Sequence, residues 1–160
     1  RCGKRVLSKN GKKILIVIVI ALIAIQFFRP DRNISSQVSS SDISGVVSVP
    51  DSVKAILQNA CYDCHSNNTA YPWYVNIQPA GWWMTGHISE AKGNLNFSEF
   101  GGYAQRKQIS KLEGVAAVIE EDIMPLRSYK MMHENARLSA DEKNLLIEWA
   151  RQSTDSISAK

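Results

Sequence analysis

The longest apolar run lies near the start of the chain and predicts a membrane-spanning helix. Residues 14–25 are apolar without a break, and the run extends through Phe28 to Arg29. It is apolar on every face of a helix and has charged residues at both ends, which favours lipid over the core of a globular domain. No small-residue cleavage site follows it, so we expect an uncleaved anchor; a cleaved signal peptide is the main alternative.

Beyond this run, apolar residues recur at helical spacing in four segments and predict amphipathic helices. The first covers about residues 51–61, the second about 79–93 and the third about 104–122. The fourth starts at Ser139, which forms a capping box with Glu142 three positions later. No convincing strand pattern appears. The sequence therefore predicts an all-α fold, a small cytochrome c-like helical domain behind an N-terminal transmembrane helix.

The same pattern divides the chain into five parts. Residues 33–49 contain seven serines and no aromatic residue, which is typical of a flexible tether. We therefore expect a basic segment at 1–13, a transmembrane anchor at 14–28, a Ser-rich tether at 29–49, a helical domain at 50–152 and a flexible tail at 153–160.

Charge is distributed unevenly, and this changes the meaning of the positive net charge. Residues 1–32 contain eight Lys or Arg and one acid, whereas the rest of the chain contains 11 basic and 14 acidic side chains. Nucleic-acid binding is not expected, since the folded part lacks a basic excess. Six of the basic residues precede the apolar run. The positive-inside rule therefore predicts a cytoplasmic N-terminus and a domain on the periplasmic side of a bacterial inner membrane.

Five consecutive residues carry the strongest chemical signal: Cys61-Tyr62-Asp63-Cys64-His65 is a C-x-x-C-H motif, the pattern that attaches c-type haem. Two thiols three positions apart near a helix end can reach both vinyl groups of one porphyrin and form thioethers. The adjacent His65 then lies under the ring, where an imidazole nitrogen can bind the iron. The motif predicts one covalent haem c on Cys61 and Cys64, with His65 as the proximal ligand.

Three other uses of the cysteine pair are weaker. A redox dithiol opens a helix in an α/β fold, whereas this pair closes a helix and no βαβ pattern exists. A zinc site would need the cysteines with two of His65, His87 and His133, but adjacent Cys and His rarely both reach one small ion. A structural disulfide outside the cell is the third alternative.

His65 leaves the sixth iron position for another ligand, and Met124 is the first candidate. Pro125 forces the segment around Met124 out of helix, and an extended segment can lay a thioether against the second face of the haem. His87 is the alternative, either as a ligand or as part of the pocket, and water or an open site is a further option. The weaker protein candidates lie near a predicted turn: Met131, Met132 and His133.

Aromatic residues are concentrated between the motif and His87. We interpret them as core and haem-pocket wall, with Trp73 and Trp83 as the candidate wall residues. The set is Tyr71, Trp73, Tyr74, Trp82 and Trp83.

Several short motifs occur in an order known from haem proteins. A helix, C-x-x-C-H, a later Met-Pro and a closing helix together resemble class I cytochromes c. The resemblance is closer to the small bacterial haem-binding domain family, whose members usually carry an N-terminal anchor. It covers about residues 49–150 and implies covalent haem c on Cys61 and Cys64, with His65 as a ligand. The motifs that carry it are Cys61-Tyr-Asp-Cys-His-Ser-Asn-Asn, Tyr71-Pro-Trp-Tyr, Ile77-Gln-Pro, Gly81-Trp-Trp, Leu95-Asn-Phe-Ser-Glu-Phe, Met124-Pro-Leu and Ser128-Tyr.

The sequence favours an electron carrier over an enzyme, because no separate set of catalytic acids and bases accompanies the motif. We expect membrane lipid as a partner through the N-terminal helix, and redox proteins as partners in electron transfer. A haem enzyme such as a peroxidase and a haem-based redox or gas sensor are the alternatives. The enzyme needs an open or displaceable sixth position at the iron, and the sensor needs ligand exchange coupled to a partner.

Overall fold

The computed structural model describes residues 9–35, 37 and 39–159, and over these residues the secondary structure is helical. Among them, the pairing that resembles a strand is an isolated antiparallel bridge between Ile34 and Asn68. The predicted all-α fold is confirmed. The described residues form two compact units: the first contains those up to Asp31 together with Tyr71–Gly86, and the second contains those from Arg32 to Ala70 together with those from His87 onward.

The first unit begins with helix α1, Lys9–Ala24, which continues as a 3₁₀ turn at Ile25–Phe27. The stretch Asn10–Phe27 has 18 residues with a mean hydropathy of 1.9, and none of it is buried within the protein. At 1.5 Å per residue it is about 27 Å long, close to the roughly 30 Å of a bilayer's hydrocarbon core. The chain therefore has a helix that is long and apolar enough to cross a membrane.

The rest of the first unit is a 3₁₀ helix, Trp73–Asn76, and the first part of helix α4, Ala80–Asn94. A tight turn joins them, and it depends on Gly81. A Cβ atom at this position would lie 2.5 Å from the carbonyl oxygen of Val75 and under 3 Å from the side-chain amide of Gln78. No L side chain fits this approach without moving the backbone.

The second unit is built around two long helices, α5 (Gln105–Glu120) and α7 (Ala140–Ser158), which pack against each other. Helix α2, Asp51–Ala60, packs against α7 and buries the apolar positions that the sequence spacing predicted. The predicted capping box at the start of α7 is also present. The fully buried large side chains of the core are Phe97, Phe100, Ile43, Leu57, Leu112, Leu146 and Val53.

Shorter helices complete the second unit, and one of them contains most of the C-x-x-C-H motif. Helix α3 is Tyr62–His65 and helix α6 is Arg127–Met132. The 3₁₀ helices are Ile43–Gly45, Phe97–Gly102 and Glu134–Ala136. The last of these packs against α2, and Phe97–Gly102 packs against both α3 and Ile43–Gly45.

Some residues at the inner ends of the predicted tether and tail contact the helical core. Ile43 and Val47 lie in the core, and the indole Nε1 of Trp149 donates to the carbonyl of Ser48 at 2.9 Å. Ile157 is also buried, and its carbonyl accepts from Gln105 at 2.7 Å. The folded unit therefore starts before residue 50 and extends past residue 152. Ile43 and Val47 lie among serines, so no apolar pattern in the sequence indicated that these two side chains belong to the core.

Candidate functional site

The C-x-x-C-H motif lies where α2 gives way to α3. Cys61 leaves helical geometry with φ −127° and ψ −42°, while its amide still bonds the carbonyl of Leu57. The amides of Cys64 and His65 then both donate to the carbonyl of Cys61, at 3.2 and 2.9 Å. The break starts a new helical turn, and that turn brings both thiols and the imidazole to one short segment.

The two thiols are partly buried in an apolar setting. Burial, and next the neighbouring Cys64, raises the pKa of Cys61 to about 12; burial, and next Asp63, raises the pKa of Cys64 to about 11. Both groups are therefore protonated at neutral pH, unlike the low-pKa thiolate of a redox dithiol. Within the described residues, no group of three His, Cys, Asp or Glu side chains could hold a metal ion, which leaves the zinc alternative without a ligand set.

His65 is oriented by a backbone carbonyl. Its ring nitrogen Nδ1 lies 2.9 Å from the carbonyl oxygen of Leu95. A carbonyl only accepts, so Nδ1 carries the proton and donates it, and Nε2 keeps its lone pair. In metal-binding histidines, a hydrogen bond from the ring nitrogen that does not bind the metal fixes the tautomer and the ring orientation. His65 therefore presents Nε2 as a potential iron ligand.

The loop that supplies this carbonyl is fastened to the residues that follow the motif. The side-chain amide of Asn96 donates to Asn67 at 2.9 Å, and the amide of Asn67 donates to the hydroxyl of Ser98 at 3.1 Å. The backbone amide of Asn96 donates to the Tyr103 hydroxyl at 3.0 Å. Because these bonds join the two segments side by side, they hold the Leu95 carbonyl in place beside His65.

Phe97 packs its apolar ring against the motif. It is 2% exposed, and its ring contacts the Tyr62 ring at 5.4 Å and the His65 ring edge-on at 6.4 Å between centroids. Such tilted and edge-to-face contacts are favourable for aromatic pairs. Phe97 therefore fixes the planes of the two aromatic rings in the motif.

Asp63, between the cysteines, links the motif to two other segments. Its carboxylate accepts from the amide of Ala70 at 2.9 Å and from the hydroxyl of Tyr129 at 2.6 Å, and its carbonyl accepts from Thr69 at 2.6 Å. Burial, and next the bond to Asp63, raises the pKa of Tyr129, so this hydroxyl remains a donor. Tyr129 also stacks on His133, with ring centroids 4.1 Å apart. Helix α6 is therefore bonded directly to the motif.

Met124 lies in the segment that leads into α6. The chain leaves α5 through Asp122, which has a left-handed φ of 55°. The buried Pro125 then keeps the residues between Asp122 and itself out of helix. Met124 is half-buried and packs against the same core cluster as Cys61 and Tyr62. The non-helical segment predicted around Met124 is thus present, in the same unit as the motif.

The other candidate residues lie outside the immediate surroundings of the motif or are exposed. His87 is half-buried on α4 in the second unit. Trp73 and Trp83, expected at the pocket wall, belong to the first unit and are 75% and 56% exposed. Met131 and Met132 are exposed at the end of α6. Cys2 lies outside the described residues.

Sequence reasoning missed the residues that orient and brace the motif. The Leu95 carbonyl is a main-chain atom and leaves no side-chain signal. In the sequence, Tyr129 stands out only as part of the Ser128-Tyr motif, and no local pattern indicates that it meets Asp63. The chemistry of the donor set, two neighbouring thiols and an imidazole with Nε2 available, fits a covalently attached haem.

Comparison with known proteins identifies a family. The model of a haem-binding domain family matches residues 20–152, a span that starts inside α1, ends inside α7 and includes every residue of the candidate site. No curated protein and no solved structure matches the chain.

Proposed function

Since this chain belongs to a haem-binding domain family, we propose that it is a membrane-anchored mono-haem c-type cytochrome that transfers single electrons outside the cytoplasm. Its cofactor is one haem c, bonded to the sulfurs of Cys61 and Cys64 and held at the iron by His65. The observation that carries this proposal is the hydrogen bond from His65 Nδ1 to the Leu95 carbonyl, next to two thiols in one helical turn.

The residues around the motif have separate tasks in this proposal. The two sulfurs fix the position of the cofactor, and His65 supplies a basic, correctly oriented nitrogen. Phe97 and Tyr62 exclude water from one side of the motif. Once bound, the haem would supply one-electron redox chemistry that no protein side chain here provides.

Met124 is the proposed distal ligand, with His87 as the alternative. The Asp63–Tyr129 bond supports Met124, because Tyr129 lies on α6, five residues beyond Met124, and joins that helix to the motif itself. A thioether ligand favours ferrous iron and gives a higher reduction potential than a second imidazole would.

An electron carrier is favoured over a haem enzyme by the surroundings of the motif. Asp63 is the carboxylate beside the cysteines, and both its oxygens already accept hydrogen bonds from Ala70 and Tyr129. A carboxylate with both oxygens hydrogen-bonded within the protein stabilises the fold. It is poorly placed to exchange protons with a substrate. Failure of carbon monoxide and peroxide to react with the iron would agree with this assignment; a rapid reaction with either would contradict it.

The proposed location follows from α1 and the charges around it. The helix is long and apolar enough to span a membrane, and basic residues dominate the segment before it. By the positive-inside rule the second unit lies on the periplasmic side of a bacterial inner membrane. This is also the side on which haem c is attached.

Covalent attachment is tested with the full chain expressed together with haem-attachment machinery. We expect haem-dependent staining of the protein band on a denaturing gel, reduced by Cys61→Ser or Cys64→Ser and abolished by the double variant. Cys2→Ser is the matched control and should leave the staining unchanged. A colourless band whose Cys61 and Cys64 thiols still react with an alkylating reagent would overturn the proposal.

The distal ligand is tested by the spectrum of the ferric protein. We expect Met124→Ala to abolish the weak near-infrared band of methionine-ligated haem, because the thioether is removed. Met132→Ala, at an exposed methionine, is the control and should keep the band. Loss of six-coordination with His87→Ala, and not with Met124→Ala, would assign the ligand to His87.

A further inference from the structure

Large apolar side chains are exposed together in the first unit, around the end of α1. Phe27 is 84% exposed, Trp73 75% and Ile77 52%. Exposed apolar groups of this size, clustered in one small unit, mark a surface that meets lipid or another protein. We call this set the aromatic collar: Phe27, Phe28, Trp73, Ile77, Trp82 and Trp83.

The collar is hydrogen-bonded to the end of α1. The side chain of Gln26 pairs with the backbone of Gln78: its amide donates to the Gln78 carbonyl at 3.1 Å, and its oxygen accepts from the Gln78 amide at 2.8 Å. The indole Nε1 of Trp82 donates to the carbonyl of Phe28 at 2.7 Å. These three bonds fix the segment that carries Trp73, Ile77 and Trp82 at the end of the apolar helix.

The charge pattern of the collar also points to lipid. Residues 71–86 contain no Lys, Arg, Asp or Glu, whereas Arg29 and Arg32 come shortly after the end of the apolar stretch. Trp side chains, with an apolar ring and one N–H donor, favour the layer between hydrocarbon and headgroups. An uncharged, Trp-rich segment bonded to the end of an apolar helix therefore suits that layer.

We propose that residues 71–83 form a second lipid-binding element, which lies in the headgroup interface of the outer leaflet next to the end of α1. This inference rests on the proposed function only in that α1 must span the membrane. It gives Trp73 and Trp83 lipid as their neighbour, where the sequence had indicated the wall of a haem pocket. The collar would thus act with α1 to hold the chain at a fixed depth.

The test places a nitroxide spin label at Ile77 in the full, haem-loaded chain. The background is Cys2→Ser, and the chain is reconstituted in vesicles of phosphatidylethanolamine and phosphatidylglycerol. We expect Ile77→Cys to be several-fold more accessible to oxygen, which partitions into lipid, than to a water-soluble nickel complex. Trp73→Cys is the second labelled position and should behave in the same way.

The matched control is Ser110→Cys, an exposed position on α5, where the nickel complex should be the better relaxant. If positions 73 and 77 are as accessible to nickel as position 110, the collar lies in water and the inference is wrong. Strong magnetic broadening of both labels by the ferric haem, without a preference for oxygen, would place them at the pocket wall instead and would equally overturn it.

Two further measurements separate this outcome from a failure of the proposed function. Extraction of the chain from membranes by alkaline carbonate would show that α1 does not anchor it, whatever the labels report. Labelling of the Cys2→Ser background itself would show that Cys61 and Cys64 are not bonded to haem. When the chain stays in the membrane and the background takes no label, the oxygen and nickel accessibilities of the two labels decide the inference.

Discussion

The two residues between the cysteines do different work. Tyr62 packs its ring against Phe97, so it serves the core. Asp63 turns outward to Ala70 and Tyr129 and joins the motif to the segments that follow it and to α6. The C-x-x-C-H pattern allows any residue at position 63. In this chain the hydrogen bonds to Ala70 and Tyr129 require an aspartate there.

At the residue scale we predict that Tyr129→Phe destabilises the protein and that Tyr62→Phe does not. Removal of the Tyr129 hydroxyl leaves a carboxylate oxygen of Asp63 without its donor, which should cost about 1–2 kcal/mol in the free energy of unfolding. Guanidinium unfolding of the detergent-solubilised, haem-loaded chain measures the difference. Equal stability of the two variants would show that the Asp63–Tyr129 bond contributes nothing.

The candidate haem-binding residues follow from a local sequence pattern, whereas the residues that support them do not. C-x-x-C-H fixes three groups by spacing alone, so the haem roles of Cys61, Cys64 and His65 are a prediction of the sequence. Asp63 meets Tyr129 across 66 positions of sequence. A hydrogen bond between two polar side chains so far apart depends on the tertiary fold, and no local pattern encodes it.

At the scale of elements, periodicity worked where a helix is long and buries one face. It located α2, α4 and α5 to within a few residues of their observed ends, and it located the start of α7. It missed α6 and the 3₁₀ helices, which have three to six residues and too few positions to show a period. It also gave no sign that Ile43, within the serine-rich segment, is buried, since a single apolar residue in a polar stretch shows no period.

Two glycines on α4 give a matched prediction. We expect Gly81→Ala to lower the thermal stability of the chain, because the new Cβ would lie 2.5 Å from the Val75 carbonyl oxygen. Gly86→Ala meets nothing within 4 Å, and it should be neutral or stabilising by roughly 0.5–1 kcal/mol through helix propensity. Circular dichroism melts of the two variants compare them. Equal melting temperatures would show that the turn before α4 is not as tight as described.

The capping box of α7 gives a prediction that depends on pH. Hydrogen bonds from the backbone and hydroxyl of Ser139 hold the pKa of Glu142 below its ordinary value of 4.5. A lowered carboxyl pKa stabilises the fold above 4.5, and that contribution is lost as the pH falls through the folded-state pKa. Glu142→Gln should therefore be less stable than the parent at pH 7, with the gap closing below pH 4.5.

The control for this prediction is the other half of the capping box. Ser139→Ala should cost about 1 kcal/mol at pH 7, as is usual for the loss of an N-cap hydroxyl. Urea unfolding at a series of pH values measures both variants. A Glu142→Gln gap that stays constant from pH 7 to pH 3 would contradict the role given to the ionised carboxylate.

At the scale of the whole molecule, the prediction concerns the side of the membrane. We expect alkaline phosphatase fused after residue 159 to be active in a bacterial host, because that enzyme matures only outside the cytoplasm. The same reporter fused after Lys13, before the apolar run, should be inactive. Activity of the second fusion, or inactivity of an expressed first fusion, would reverse the proposed topology.

The burial of both Ile43 and Ile157 in one core has a consequence for the order of events during biogenesis. If the chain is exported with its N-terminus retained, as proposed, Ile157 crosses the membrane long after Cys61 and Cys64. Until it arrives, α7 cannot dock completely on α5 and the core stays open. In the proposed function, the attachment machinery would then meet both thiols before this core is complete.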